Sequence, residues 1–79
     1  MTFEAIKALD EQYVMHSYGR NQVAIDHGKG ATLWSVDGKE YIDFTAGIGV
    51  ASLGHADEGW LKAITCQAAR LSHISNLFY

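Results

Sequence analysis

The sequence predicts an α+β segment: an N-terminal helix, a small antiparallel β-hairpin or sheet, and a second helix. Three features predict it. Phe3, Ile6, Leu9 and Tyr13 recur at helical spacing. Two runs rich in aromatic and β-branched residues flank Asp37-Gly38. Asp57 precedes a helical stripe of Leu61, Ile64, Ala68 and Leu71.

The first helix is expected from Phe3 to Val14, with Thr2 as its cap and Lys7, Asp10 and Glu11 on its other faces. Gly19 breaks that pattern within His16–Asn21, and a short β-branched piece, Val23-Ala24-Ile25, follows. His27-Gly28-Lys29-Gly30 reads as a loop. The next run, Ala31–Val36, and the returning run, Lys39–Phe44, then form a hairpin about Asp37-Gly38, whose two residues are expected at positive φ. Tyr41 and Phe44 fall on opposite faces, so this sheet is expected to be covered on both sides. Thr45–His55 is small, apolar and glycine-rich, which suits backbone that something packs against closely. Asp57 starts the second helix, Glu58 to about Ser72.

At 79 residues the chain amounts to one small domain or less. It has one cysteine, Cys66, so no internal disulfide compensates for a small core, and the four scattered histidines form no zinc set with it. A reducing, cytoplasmic setting is expected. Nine acids against six bases give a net charge of −3 with no basic run, which argues against nucleic acid as a partner. No apolar stretch approaches the roughly 20 residues of a membrane helix, so no membrane partner is expected. The start, Met1-Thr2-Phe3-Glu4, lacks the basic and apolar regions of a signal peptide. The apolar end, Leu77-Phe78-Tyr79, reads as an interrupted element. The chain is therefore expected to be a fragment.

Read physically, the motifs hold no reaction centre. Gly47-x-Gly49-x-x-x-x-Gly54 follows a strand, but a dinucleotide fingerprint needs a helix opening inside the glycines and an acid about 20 residues on. Gly28-Lys29-Gly30 lacks the Ser or Thr and the helix of a phosphate loop. Asp37-Gly38-Lys39-Glu40 lacks the twelve-residue ligand spacing of a calcium loop. His55, between the glycine run and the capping acid, reads as a hydrogen-bonding structural residue, since no nucleophile accompanies it. Cys66, mid-helix beside Ile64, reads as inert. No metal site is expected.

The residues also carry a resemblance. Tyr13–Arg20, Gly28–Phe44, Ala46–Val50, Leu53-Gly54-His55 and the tail His73–Tyr79 together resemble, in order and spacing, the opening of class III (subgroup III) aminotransferases. Tyr-x-Met-x-x-Tyr-Gly-Arg at the front and His-Ile-Ser-Asn-Leu at the back are similar to the acetylornithine branch. The chain departs from the family at Gln22, where proline is common, at Ala56-Asp57-Glu58, where Cys-His-Pro is common, and at Ala51, where Asn is common.

The resemblance implies that residues 1–79 are the N-terminal segment of a fold-type-I transaminase, with the cofactor-binding large domain absent. The full-length enzyme would be a cytoplasmic homodimer of arginine biosynthesis. Using pyridoxal 5′-phosphate, it would move the δ-amino group of a small-molecule donor, N-acetylornithine, to 2-oxoglutarate. The cofactor lysine, the acid that pairs with the cofactor ring and the phosphate-binding groups would lie beyond Tyr79, which leaves no catalytic or cofactor-binding residue in this chain and the chain alone inactive. Two substrate-binding residues are implied: Tyr18, which aligns with an active-site tyrosine of the ornithine branch, and Ile48, which aligns with a position in the pocket wall. Other donors in the family are ornithine, succinylornithine and 4-aminobutyrate. The alternative of a different class is a small module that binds a partner through its apolar tail and glycine run.

Overall fold

The computed structural model describes residues 1–79, and it orders the elements as expected with changes at three joints. Helix α1 (Phe3–Tyr13) is capped at its start by Thr2, whose Oγ1 accepts from Ala5 N at 3.2 Å. Phe3 and Ile6 are half-buried, whereas Leu9 and Tyr13 are exposed, so only the first half of the predicted stripe finds cover.

The sheet has three antiparallel strands in the order β1 (Ile25–Lys29), β2 (Thr32–Ser35), β3 (Glu40–Ile42). Most of the segment expected as the loop His27–Gly30 is therefore strand β1, with Gly28 opposite Leu33 and Lys29 opposite Thr32. Glycines depress strand propensity locally, and here tertiary contact overrides it. Gly30-Ala31 makes the turn into β2, with Gly30 at φ +59 and Ala31 on the negative side, the sign pattern of a two-residue type II′ turn.

The hairpin between β2 and β3 forms where expected, but its turn differs. Ser35 N donates to Lys39 O at 3.0 Å and Gly38 N donates to Ser35 O at 2.9 Å, so the loop is three residues long, Val36-Asp37-Gly38. Only Gly38 has positive φ, +81, while Asp37 does not. The physical reason is the extra residue: a type I turn followed by one left-handed glycine closes the hairpin without straining Asp37. Ser35 sits beneath it at 5% exposure and its Oγ accepts from Lys39 N at 3.2 Å.

Beyond β3 the chain makes one turn, α2 (Ala46–Gly49), and then helix α3 (Glu58–Ala68). Asp57 caps α3 as expected, its Oδ2 accepting from Trp60 N at 2.9 Å. The helix ends at Ala68, short of Ser72. Arg70 N closes a tighter turn onto Gln67 O, and Gln67 Nε2 takes up the Leu71 carbonyl at 2.9 Å. None of these helices is long and apolar enough to cross a membrane.

What the elements do not build is a core. Ser35 is the one buried residue, and no hydrophobic side chain is buried. The accessible surface is 7154 Å², whereas a folded monomer of this mass exposes about 4,700 Å². The radius of gyration is 16.5 Å against about 12 Å for a compact chain of this length. Phe44 is 91% exposed, so the sheet is not covered on both faces within this chain. Trp34 stacks on His27 across β1 and β2, with ring centroids 4.9 Å apart. Local hydrogen bonding is satisfied while apolar burial is not.

Candidate functional site

The best-organised part of the molecule surrounds α2. Asp43, one residue past β3, has a side chain only 8% exposed. Its Oδ1 accepts from Thr45 N at 2.9 Å, Thr45 Oγ1 at 3.1 Å and Ala46 N at 2.9 Å. Aspartate favours this local pattern, since its short side chain reaches backbone N–H groups two and three residues ahead. Its other oxygen, Oδ2, lies 2.6 Å from His55 Nε2. A carboxylate has no proton to give, so Nε2 carries the hydrogen and donates. With four donors converging, first among them the His55 ring and next the Ala46 N–H, the Asp43 carboxyl is held from its ordinary 3.8 down to about 2.

His55 is fixed from behind. Its backbone exchanges hydrogen bonds with Gly30, N to O at 2.9 Å in each direction. Its ring lies against Gly28: a Cβ there would meet His55 Cβ and Cγ at 3.0 Å and Leu33 Cδ2 at 2.8 Å. Gly54, at φ +82, passes so close to Gly30 that a Cβ would lie 3.2 Å from its backbone. Gly54 is a close approach of the kind expected of the glycine-rich run Thr45–His55, whereas that of Gly28, read as a loop residue, was not anticipated.

Between Asp43 and His55, the run Ala46-Gly47-Ile48-Gly49 takes φ of 50, 60, 62 and 81°, a single left-handed turn. Alanine and isoleucine there each cost about 1–2 kcal/mol, because Cβ crowds the following carbonyl. Such residues persist only where the surroundings over-determine the backbone. The turn presents Ile48 outward at 96% exposure, with Val50 exposed beside it.

Tyr18, the other substrate-binding candidate, lies elsewhere. It is 79% exposed and lines a groove of about 300 Å³ between α1 and residues 16–24, with Phe3, Ile6, Asp10 and Arg20 among its other walls. Arg20 Nη2 stands 3.6 Å from Asp10 Oδ1 across that groove. Ile48 contributes to none of its walls. The two candidates thus occupy separate places within these 79 residues.

Sequence reasoning identified His55 as a hydrogen-bonding structural residue but missed its partner. The available signal was local: an acid at the end of a strand, two residues before a threonine, as in an aspartate-headed turn. No three His, Cys, Asp or Glu side chains converge as a metal site would require. A cofactor aldehyde would need a sheltered amine and its phosphate a cradle of donors. Lys7, Lys29, Lys39 and Lys62 are all exposed. Lys7 Nζ donates to Gln22 Oε1 at 2.9 Å, and Lys39 Nζ lies 5.4 Å from the centre of the Tyr41 ring. None of these four lysines is the sheltered amine that the cofactor aldehyde needs.

Residues 13–79 match the family model described as aminotransferase class-III. The acetylornithine aminotransferase of Haemophilus ducreyi is 51% identical over 79 residues, which cover 100% of this chain and 20% of that protein. The crystal structure of acetylornithine aminotransferase from Elizabethkingia anophelis superposes with a TM-score of 0.95 at 32% identity, covering 100% of this chain and 21% of that one. An ornithine aminotransferase from Toxoplasma gondii, with PLP partially occupying its active site, gives 0.93 at 40% identity, covering 99% and 18%. The chain spans about a fifth of the length of the curated relatives it matches.

Proposed function

Because this chain belongs to the class-III aminotransferase family, we propose that it serves as the N-terminal segment of an acetylornithine aminotransferase. The complete enzyme, residues 1–79 followed by the cofactor-binding region, transfers the δ-amino group of N-acetylornithine to 2-oxoglutarate. It works as a cytoplasmic homodimer in arginine biosynthesis, and the segment alone is inactive. Pyridoxal 5′-phosphate is held by residues outside this segment, since the lysines within it are exposed and none has a cradle of donors beside it.

One observation carries this reading: well-formed helices and strands that bury no apolar side chain. A segment with satisfied backbone and unsatisfied apolar surface is what remains when a larger core supplies the missing burial. Within the segment, Ile48 is read as an apolar wall of the amino-donor pocket and Tyr18 as a substrate contact. An apolar wall suits an acylated amine better than a free charged one, which favours acetylornithine over ornithine as donor.

The test is glutamate formation by the purified complete enzyme supplied with PLP and 2-oxoglutarate. The expected result is turnover with kcat/KM for acetylornithine at least about tenfold above that for ornithine. Turnover with ornithine alone would move the protein to the ornithine branch. A segment that is monomeric and binds one protein partner at a fixed ratio, with no transamination by the complete enzyme, would overturn the reading.

A further inference from the structure

We propose that Asp43 and His55 form a positioning pair that sets where Ile48 stands, and through it how the enzyme distinguishes its amino donors. The substrate part of this proposal rests on the function proposed above. The pair itself rests on geometry.

A left-handed turn containing alanine and a β-branched residue does not hold itself. Ile48 is 96% exposed, so no side chain packs on it within this chain, and Thr45 makes no side-chain cap bond to α2. Within this chain the constraint comes from the ends of the turn. At the near end Asp43 Oδ1 gathers Thr45 N and Ala46 N, each at 2.9 Å, which orients the first left-handed residue. Gly49 N then returns to Thr45 O at 3.0 Å and Ala51 N to Ala46 O at 2.8 Å. At the far end the chain is pinned by the exchange of backbone bonds between His55 and Gly30.

One carboxylate joins the two ends. Oδ1 serves the turn and Oδ2 receives His55 Nε2 at 2.6 Å, so the carboxylate cannot rotate to lose one end without losing the other. On its other side His55 lies so close to Gly28 that a Cβ there would meet its Cβ and Cγ at 3.0 Å. Loss of either side chain frees the turn to relax toward negative φ, which alanine and isoleucine prefer, and so moves Ile48. Neither Asp43 nor His55 need touch substrate.

The test uses the complete enzyme, with Asp43→Ala, His55→Leu, Ile48→Ala and the double variant Asp43→Ala/Ile48→Ala. Asp43→Ala and His55→Leu, which has no donor for Asp43, are expected to lower the acetylornithine-to-ornithine ratio of kcat/KM to within about threefold of Ile48→Ala, mainly by raising KM for acetylornithine. The double variant should fall no further than Ile48→Ala alone, because both changes remove the same contact. Asp43→Asn keeps an acceptor for Thr45 and Ala46, and its amide donates to His55 Nε2 once the ring proton moves to Nδ1, so it should retain most of the wild-type ratio. Amide hydrogen exchange over residues 45–50 should rise at least about tenfold in Asp43→Ala and stay near wild type in Asp43→Asn. If Asp43→Ala does not fold, His55→Leu carries both comparisons. Folded variants whose melting temperature falls while the ratio and the exchange stay at wild type would overturn the proposal, as would multiplicative losses in the double variant. A wild-type enzyme that does not discriminate between the donors refutes the substrate reading alone, and exchange at residues 45–50 then decides the pair.

Discussion

His55 Nε2 donates to Asp43 Oδ2 across 2.6 Å, and this bond closes a loop over the residues 44–54 between the end of β3 and the start of α3. Closing such a loop by covalent chain alone would leave its interior free. Here the acceptor also anchors the first residues of the interior, so the loop is ordered from its base.

The first expectation concerns pH. Asp43 has its carboxyl lowered from 3.8 to about 2 in the folded chain, chiefly by the His55 hydrogen bond. The unfolded state then binds this proton more readily than the folded state, so the contribution is fully present above pH 3.8 and is lost as pH falls through about 2. Acid unfolding of the complete enzyme should show wild type and Asp43→Asn converging between about pH 4 and pH 2. Parallel curves through that window would mean that Asp43 is not perturbed.

Glycine replacements give opposite signs at two nearby sites. Gly54 has φ +82 and no room beside the Gly30 backbone, so Gly54→Ala should destabilise the complete enzyme by about 1–3 kcal/mol. Gly59 lies in α3 with only Asp57 Oδ2 within contact, at 3.4 Å. Gly59→Ala should therefore stabilise by about 0.5–1 kcal/mol. Chemical denaturation midpoints report both. Equal shifts in one direction would contradict the assignment of strain.

At the hairpin, Gly38 has φ +81 and open space where a Cβ would stand, so substitution there meets backbone strain and no clash. Gly38→Val should cost about 1–3 kcal/mol, while Gly38→Asn, which tolerates this region, should cost much less. The three-residue turn is wrong if asparagine is the more damaging of the two in thermal melts.

The pocket reading of Ile48 predicts a change in specificity. Ile48→Tyr crowds an acylated donor and offers a polar neighbour to a free amine, so the acetylornithine-to-ornithine ratio of kcat/KM should fall at least about tenfold. Tyr18→Phe should weaken both donors together, since it removes one hydroxyl near their shared amino-acid end. Steady-state kinetics on both donors decide it. An unchanged ratio in Ile48→Tyr makes Ile48 an ordinary packing residue.

What was legible in the sequence was local. Thr2 and Asp57 cap because a short polar side chain before an amphipathic run reaches its own helix, and that needs no distant partner. Asp37-Gly38 marked the hairpin, yet the loop length depended on how Ser35 met Lys39 across the sheet. Strand β1 was hidden because Gly28 is there to make room for the ring of His55, a contact across 27 positions of sequence. Asp43 heads a local turn that Thr45, two residues on, could have signalled, but its link to His55 twelve residues away left no local trace. The hand of α2 runs against the preference of Ile48 itself, so no propensity could reveal it. The family resemblance supplied the remaining information, much of it from residues that this chain leaves exposed.

Scanning calorimetry of the purified 79-residue chain, set beside the complete enzyme, tests most directly the claim that this segment borrows its core. No hydrophobic side chain of the chain is buried, so heating it alone should give a broad, weak heat uptake without a cooperative peak. The same residues in the complete enzyme should unfold within its main transition. A sharp two-state peak from the monomeric chain, with an unfolding enthalpy near the roughly 0.7 kcal/mol per residue of ordinary domains, would show that the segment folds by itself and contradict the account.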